Sequence, residues 1–238
     1  MPDSTSATVA ATREFAAELL GTFALTLVGG AAIMQTRNVD ATAGLLEVAL
    51  AHGLVLCVMV SALRRISAHF NPAVTIALLV TGDVTPAQAV KCIGGQFTGA
   101  LMAALTLEAL FPAPLWEASR GTRQLISLDV STAQAFAIEA IATGILMTAV
   151  MGTLIDPKAP KGGGIVVGLA YGAGMLAFAP LTGASMNPAR TLGPMLVTGA
   201  YEGLALYLTA PVVGAVIAAL IYRYLLSSDE ALPTEPTE

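Results

Sequence analysis

Two identical tripeptides, Asn71-Pro72-Ala73 and Asn187-Pro188-Ala189, stand 116 residues apart in a chain of 238. Asn is a favoured helix N-cap because its side-chain oxygen accepts an otherwise free backbone N–H. Pro suits the first helical position because its missing N–H would be unpaired there. Each triplet therefore predicts a helix start. The apolar runs that follow give half-helices over 71–80 and 187–197, far short of the ~20 residues needed to cross a bilayer. Arg190 directly follows the second triplet, and Glu18 and Glu139 lie inside long apolar stretches. An arginine at membrane depth costs about 2.5–3.5 kcal/mol even on the lenient insertion scale. It must face water or a partner, so Arg190 is read as lining the outer pore, where it would bind solute and repel cations. The two carboxylates have two readings. One is a proton relay; the favoured one is structural, each accepting N–H bonds from the irregular backbone that leads into a half-helix, since unpaired amides are costly in lipid.

The elements that must hold these groups follow from composition. The chain is 55% hydrophobic and 11% charged, against about 25% charge in a soluble domain. It reads as an all-α integral membrane protein with six transmembrane helices, at 13–35, 44–63, 86–110, 131–153, 163–181 and 201–226. The net charge of −5 and the lack of a basic patch exclude nucleic acid as a partner. Cys57 and Cys92 fall inside apolar segments and read as free thiols, neither a disulfide nor a metal pair. No cofactor, metal or catalytic residue is expected.

The halves repeat. Glu18 and Glu139 are 121 residues apart, and Gly99-Ala100 and Gly214-Ala215 are 115 apart. Three spans per half is an odd number, so the second copy is inverted and the shared site lies near the midplane, built from two re-entrant half-helices. The organisation is a tail (1–12), a first repeat (13–110), an extracellular loop (111–130), a second repeat (131–226) and a second tail (227–238). Gly95-x-x-x-Gly99 and Gly164-x-x-x-Gly168-x-x-x-Gly172 suit close helix packing. Trp116, in the loop, reads as an interfacial anchor. With both termini cytoplasmic, Arg13, Arg64, Arg65, Lys91, Lys158, Lys161 and Arg223 lie inside and Arg37, Arg120 and Arg123 outside, seven against three, as the positive-inside rule requires.

Half-helices entering from opposite faces bring their N-termini together, and each N-terminus carries roughly +0.5 of an elementary charge. The result is an electropositive midpoint that repels cations and hydronium. The amides of Asn71 and Asn187 can donate to a passing oxygen, which orients each water and breaks the wire that would carry protons.

The paired boxes, Ser67-Ala68-His69-Phe70-Asn71-Pro72-Ala73-Val74-Thr75 and Gly183-x-Ser185-x-Asn187-Pro188-Ala189-Arg190-x-x-Gly193-Pro194, resemble those of the aquaporin, or major intrinsic protein, family. The resemblance covers about residues 13–226. It implies six spans plus two half-helices, a homotetramer in the cell membrane with one pore per subunit, and passive conduction of water or small neutral solutes. It also implies an outer filter of His52, Met175, Ala184 and Arg190, and a cytoplasmic-mouth histidine at His69. Water-specific relatives carry Phe where His52 stands and His where Met175 stands, so the opening should be wider and partly amphipathic, as in the plant vacuolar intrinsic proteins. Thr191 and Tyr207-Leu208 point instead to nodulin-like and metalloid-permeable branches. The expected solutes are water, glycerol, urea, ammonia and neutral hydroxides such as arsenite.

The same residues admit two other classes. An ion-coupled transporter would use Glu18 and Glu139. An intramembrane serine protease would need Ser185 within hydrogen-bond reach of His52 or His69.

Overall fold

Each element begins where the local chemistry dictates. In the computed structural model, which describes residues 4–38, 43–160 and 162–227, the helices are α1 (Ser4–Gln35), α2 (Leu45–Leu63), α3 (Pro72–Val80), α4 (Pro86–Leu110), α5 (Ala113–Ala118), α6 (Thr132–Val150), α7 (Gly163–Thr182), α8 (Pro188–Thr198) and α9 (Leu204–Ile221). Short π-helical turns continue α6 and α9, over Met151–Ile155 and Tyr222–Leu226. No strand occurs among the described residues. Lys161, residues 1–3 and most of the second tail, 228–238, lie outside the described residues.

Six of these helices are long and apolar enough to cross a membrane, the first over Ala11–Gln35. The helix itself begins at Ser4, inside the stretch read as a tail. Large apolar side chains such as Leu54, Val58, Val90 and Leu169 are exposed on the outside. A lipid-facing surface needs this pattern, since hydrocarbon solvates such groups as well as a core does.

The packing is symmetric. In the first half α1 lies on α4, in the second α6 lies on α9, and α2 meets α7 across the pseudo-two-fold. The half-helices are exchanged: α3 packs on α9, and α8 packs on α4. Close approach is made by glycines at equivalent places. A Cβ on Gly99 would lie 2.3 Å from the Leu19 carbonyl oxygen, and one on Gly214 would lie 1.9 Å from that of Ala140. With no hydrophobic force between helices in lipid, such backbone contact supplies the association.

The 111–130 loop differs from expectation. Trp116 is buried, packed with Met34 and Leu107, because α5 and the turn after it fold back over the ends of α1 and α4. It is a core residue of the loop and not a lipid anchor.

Candidate functional site

The two boxes touch. Asn71 caps α3 with its Oδ1, which accepts from Ala73 N at 2.9 Å. Asn187 caps α8 in the same way, accepting from Ala189 N at 3.0 Å and Arg190 N at 3.3 Å. With Oδ1 committed, each Nδ2 faces the opposite box. That of Asn71 donates to Met186 O at 2.7 Å, and that of Asn187 donates to Phe70 O at 2.8 Å. The bonds are reciprocal across the repeat, and the N-termini of α3 and α8 meet through them. Each amide keeps a second N–H. Phe70 and Met186, the residues just before each asparagine, both hold positive φ, at 50° and 52°. This left-handed bend costs energy in a non-glycine residue and persists only where the surroundings over-determine it.

The carboxylates are those surroundings. Glu18 Oε1 accepts from Ser67 Oγ (2.5 Å) and His69 N (2.8 Å), and its Oε2 from Phe70 N (2.6 Å) and Gln96 Nε2 (2.7 Å). Glu139 Oε1 accepts from Thr182 Oγ1 (2.7 Å) and Ser185 N (2.8 Å), and its Oε2 from Met186 N (2.8 Å). Both groups are fully buried. Each takes the two backbone N–H groups that run into a box, and four donors fill the roughly four lone-pair sites of Glu18. Neither carboxylate is presented as a link in a proton chain. Tyr171 Oη and Tyr207 Oη pin the second box further, donating to Ser185 O at 2.8 Å and Thr182 O at 2.6 Å. Ser185 Oγ donates to Asn187 O at 3.0 Å and pairs with Thr191 Oγ1. Its contacts are with the box, not with a histidine.

Three cavities lie about the boxes, and α7 contributes to the walls of two of them. The widest, about 620 Å³, is lined by Arg37, Val48, Arg123, Gln124, Met175 and Arg190. A constricted space of about 10 Å³ follows, bounded by Phe70, Asn71, Val167, Tyr171 and Asn187. The third, about 260 Å³, is lined by Glu14, Arg64, Ser67, His69, Cys92 and Leu154. Met175, Tyr171 and Val167 stand at four-residue spacing, which keeps them on one helix face.

Of the residues expected to form a filter, Met175 and Arg190 line the widest cavity. His52 and Ala184 are fully buried. His52 joins the group through Arg190, whose Nε donates to His52 Nε2 at 3.2 Å. His52 Nδ1 lies 2.7 Å from the Val48 carbonyl oxygen. A carbonyl only accepts, so Nδ1 carries the proton and Nε2 is free to accept from the guanidinium. The ring stacks on Tyr171, with centroids 5.9 Å apart and planes at 10°. His69 sits at the other end, in the wall of both smaller cavities, with Nδ1 3.2 Å from Thr75 Oγ1.

Sequence reasoning passed over three residues of this site. Tyr171 is visible only as one polar aromatic in a Gly- and Ala-rich helix, one turn before Met175. Gly29 gives His52 its room: a Cβ there would lie 2.1 Å from His52 Nε2. Gln124 reaches the same small space as Arg190 and Thr26 from the connecting loop.

Two box-capped half-helices meeting between buried carboxylates are a specific arrangement, and comparison with known proteins is decisive. The model of the family described as "Major intrinsic protein" matches residues 5–222. The chain belongs to the major intrinsic protein family. It is similar to Aquaporin TIP4-4 of Zea mays, 37% identical over 237 residues, covering 95% of this chain and 92% of that one. It is also similar to Aquaporin NIP2-1 of Arabidopsis thaliana, 37% identical over 91% of this chain and 76% of that one. Nodulin-26 of Glycine max is 36% identical over 92% of this chain and 80% of that one. The solved aquaglyceroporin from Plasmodium falciparum has the same fold, with a TM-score of 0.81 at 24% identity, covering 90% of this chain and 96% of that one. As a major intrinsic protein with six apolar helices, the chain is a multi-pass membrane channel for water and small solutes.

Proposed function

We propose that this channel is passive, conducts water together with small uncharged solutes (glycerol, urea, ammonia and neutral hydroxides such as arsenite), and excludes protons and ions. One observation carries the reading: the reciprocal bonds between Asn71 and Asn187 and the opposite boxes, which join two helix N-termini beside a constriction. Positive ends of two helix dipoles disfavour a cation there, and the second N–H of each amide supplies a donor to a neutral oxygen. His52, Met175, Ala184 and Arg190 form the proposed filter. Its wall is a neutral imidazole, a flexible thioether, a methyl group and a guanidinium, which admits solutes with both apolar and polar faces.

We infer that the 620 Å³ cavity opens outward and the 260 Å³ cavity opens to the cytoplasm, with both termini cytoplasmic in a plasma or inner membrane. The Lys and Arg asymmetry supports this orientation. A homotetramer with one pore per chain completes the reading. The test is stopped-flow light scattering of proteoliposomes against a panel of these solutes. Water and at least one solute are expected to cross faster than in empty vesicles; no increase for any of them would refute it.

A further inference from the structure

We propose that the cytoplasmic cavity holds a metal site for a borderline divalent cation of the zinc class, with Cys92 and His69 as its primary ligands and Glu18 as its third. Cys92 Sγ, a ring nitrogen of His69 and a Glu18 carboxylate oxygen all lie within 4.8 Å of one another. Thiolate, imidazole and carboxylate are the donor types that such an ion takes together. Both Cys92 and His69 reach the wall of the 260 Å³ cavity, which gives the ion an entry path and room for a water as fourth ligand.

The surrounding hydrogen bonds fit the same role. Thr75 Oγ1 donates to Asn71 O at 3.2 Å, which uses its only proton. His69 Nδ1–H therefore donates to Thr75 Oγ1, at 3.2 Å, and Nε2 keeps its lone pair. A ligating histidine is ordinarily fixed in this way, by an acceptor on its other nitrogen. Glu18 is the member already full of donors, and Ser67 supplies the means to free one position. Its hydroxyl lies 2.5 Å from Glu18 Oε1 and 3.7 Å from Cys92 Sγ. When the metal displaces the thiol proton to cavity water, the thiolate becomes the acceptor for Ser67 Oγ–H, and Oε1 gains a lone pair for the ion. Cys57 has no such company. It lines a separate apolar groove between α2 and α7.

The test uses full-length protein in nanodiscs, with any affinity tag removed. Co²⁺ added alone is expected to give the near-ultraviolet charge-transfer absorption of a cobalt–thiolate bond, and Zn²⁺ is expected to abolish it. Calorimetry is expected to show one Zn²⁺ per chain. Cys92→Ala should remove the absorption and weaken Zn²⁺ by about tenfold or more, and His69→Gln should weaken it similarly. Cys57→Ala should change neither. If Cys92→Ala does not fold, His69→Gln decides the matter. Absence of the Co²⁺ absorption, or Zn²⁺ affinity unmoved by the variants that fold, overturns the site. One consequence rests on the channel reading: Zn²⁺ on the cytoplasmic side should slow solute flux. The two ideas fail separately, since flux absent without metal refutes the channel, while binding is read without flux.

Discussion

Arg190 Nε donates to His52 Nε2 across 3.2 Å, joining the start of α8 to the middle of α2. The bond holds the guanidinium in the wall of the 620 Å³ cavity, while its buried Nη1 has no acceptor among the described residues. In the proposed filter that N–H would serve a solute oxygen, and the charge behind it would oppose cations. Two unit charges about 4 Å apart repel by about 4 kcal/mol at an effective dielectric of about 20. Arg190→Ala is therefore expected to raise proton and cation conductance, by about tenfold to a hundredfold after screening. Voltage-clamp or dye-loaded vesicles would measure it, and an unchanged leak would remove Arg190 from its assigned role.

Gly29→Ala probes the same pair from behind. The new methyl would stand 2.1 Å from His52 Nε2, and overpacking of this kind costs about 1–3 kcal/mol unless the neighbour moves. His52 should be displaced and its bond to Arg190 lost, shifting the urea-to-water permeability ratio although no pore-lining residue has changed. Gly30→Ala is the control, because its Cβ meets a flexible Leu107 methyl at 2.5 Å. Equal ratios in the two variants would contradict the coupling.

The filter assignment has a direct test in the double variant His52→Phe with Met175→His. A larger ring in place of the His52 imidazole and an imidazole in place of the Met175 thioether should narrow the opening, leaving water flux and suppressing that of glycerol and urea by about tenfold or more. Undiminished glycerol flux would show that these two side chains do not define the opening.

Glu139 holds three donors of the second box. Glu139→Ala leaves them buried and unpaired, at about 1–3 kcal/mol each. A sharp fall in thermal stability is expected by fluorescence-detected size exclusion. Glu139→Gln should fall less, because its amide oxygen still accepts. Wild-type stability in the alanine variant would dissociate the carboxylate from the box.

Outside the spans, Glu202 pairs with Arg123. Backbone hydrogen bonding at Glu202 itself, and then the Arg123 hydrogen bond and charge, hold its carboxyl below the ordinary value of 4.5. A carboxylate with a depressed pKa stabilises above its unfolded value and loses that contribution as pH falls through the folded one. The link should therefore persist at mildly acid pH and release below 4.5. Hydrogen exchange at residues 119–127 should quicken there, and the Glu202→Gln variant should show no such step.

Much of this architecture was legible because lipid leaves few choices. Backbone groups must pair within helices, so the lengths of the apolar runs defined the spans, and two runs too short to cross had to be re-entrant. Glu18 and Glu139 stood out because a carboxylate in an apolar stretch needs a reason. Other features were hidden for equally physical causes. Tyr171 and Gly29 matter through which atoms they face, and residue type alone does not carry that. His52 could be picked out only through family resemblance, since a histidine in an apolar helix has many satisfactory burials. Trp116 misled because an amphipathic ring suits an interface and a folded loop alike, and only the path of α5 decides between them.

The exchange of half-helices, α3 against α9 and α8 against α4, bears on how the protein is made. When the ribosome has released the first three spans, α3 has only its smaller contact with α4, since its main partner emerges last. Early insertion is thus provisional, and the final span locks the first half as well as its own. Severing the chain within 111–130 should yield fragments that are degraded singly and rescue one another when synthesised together.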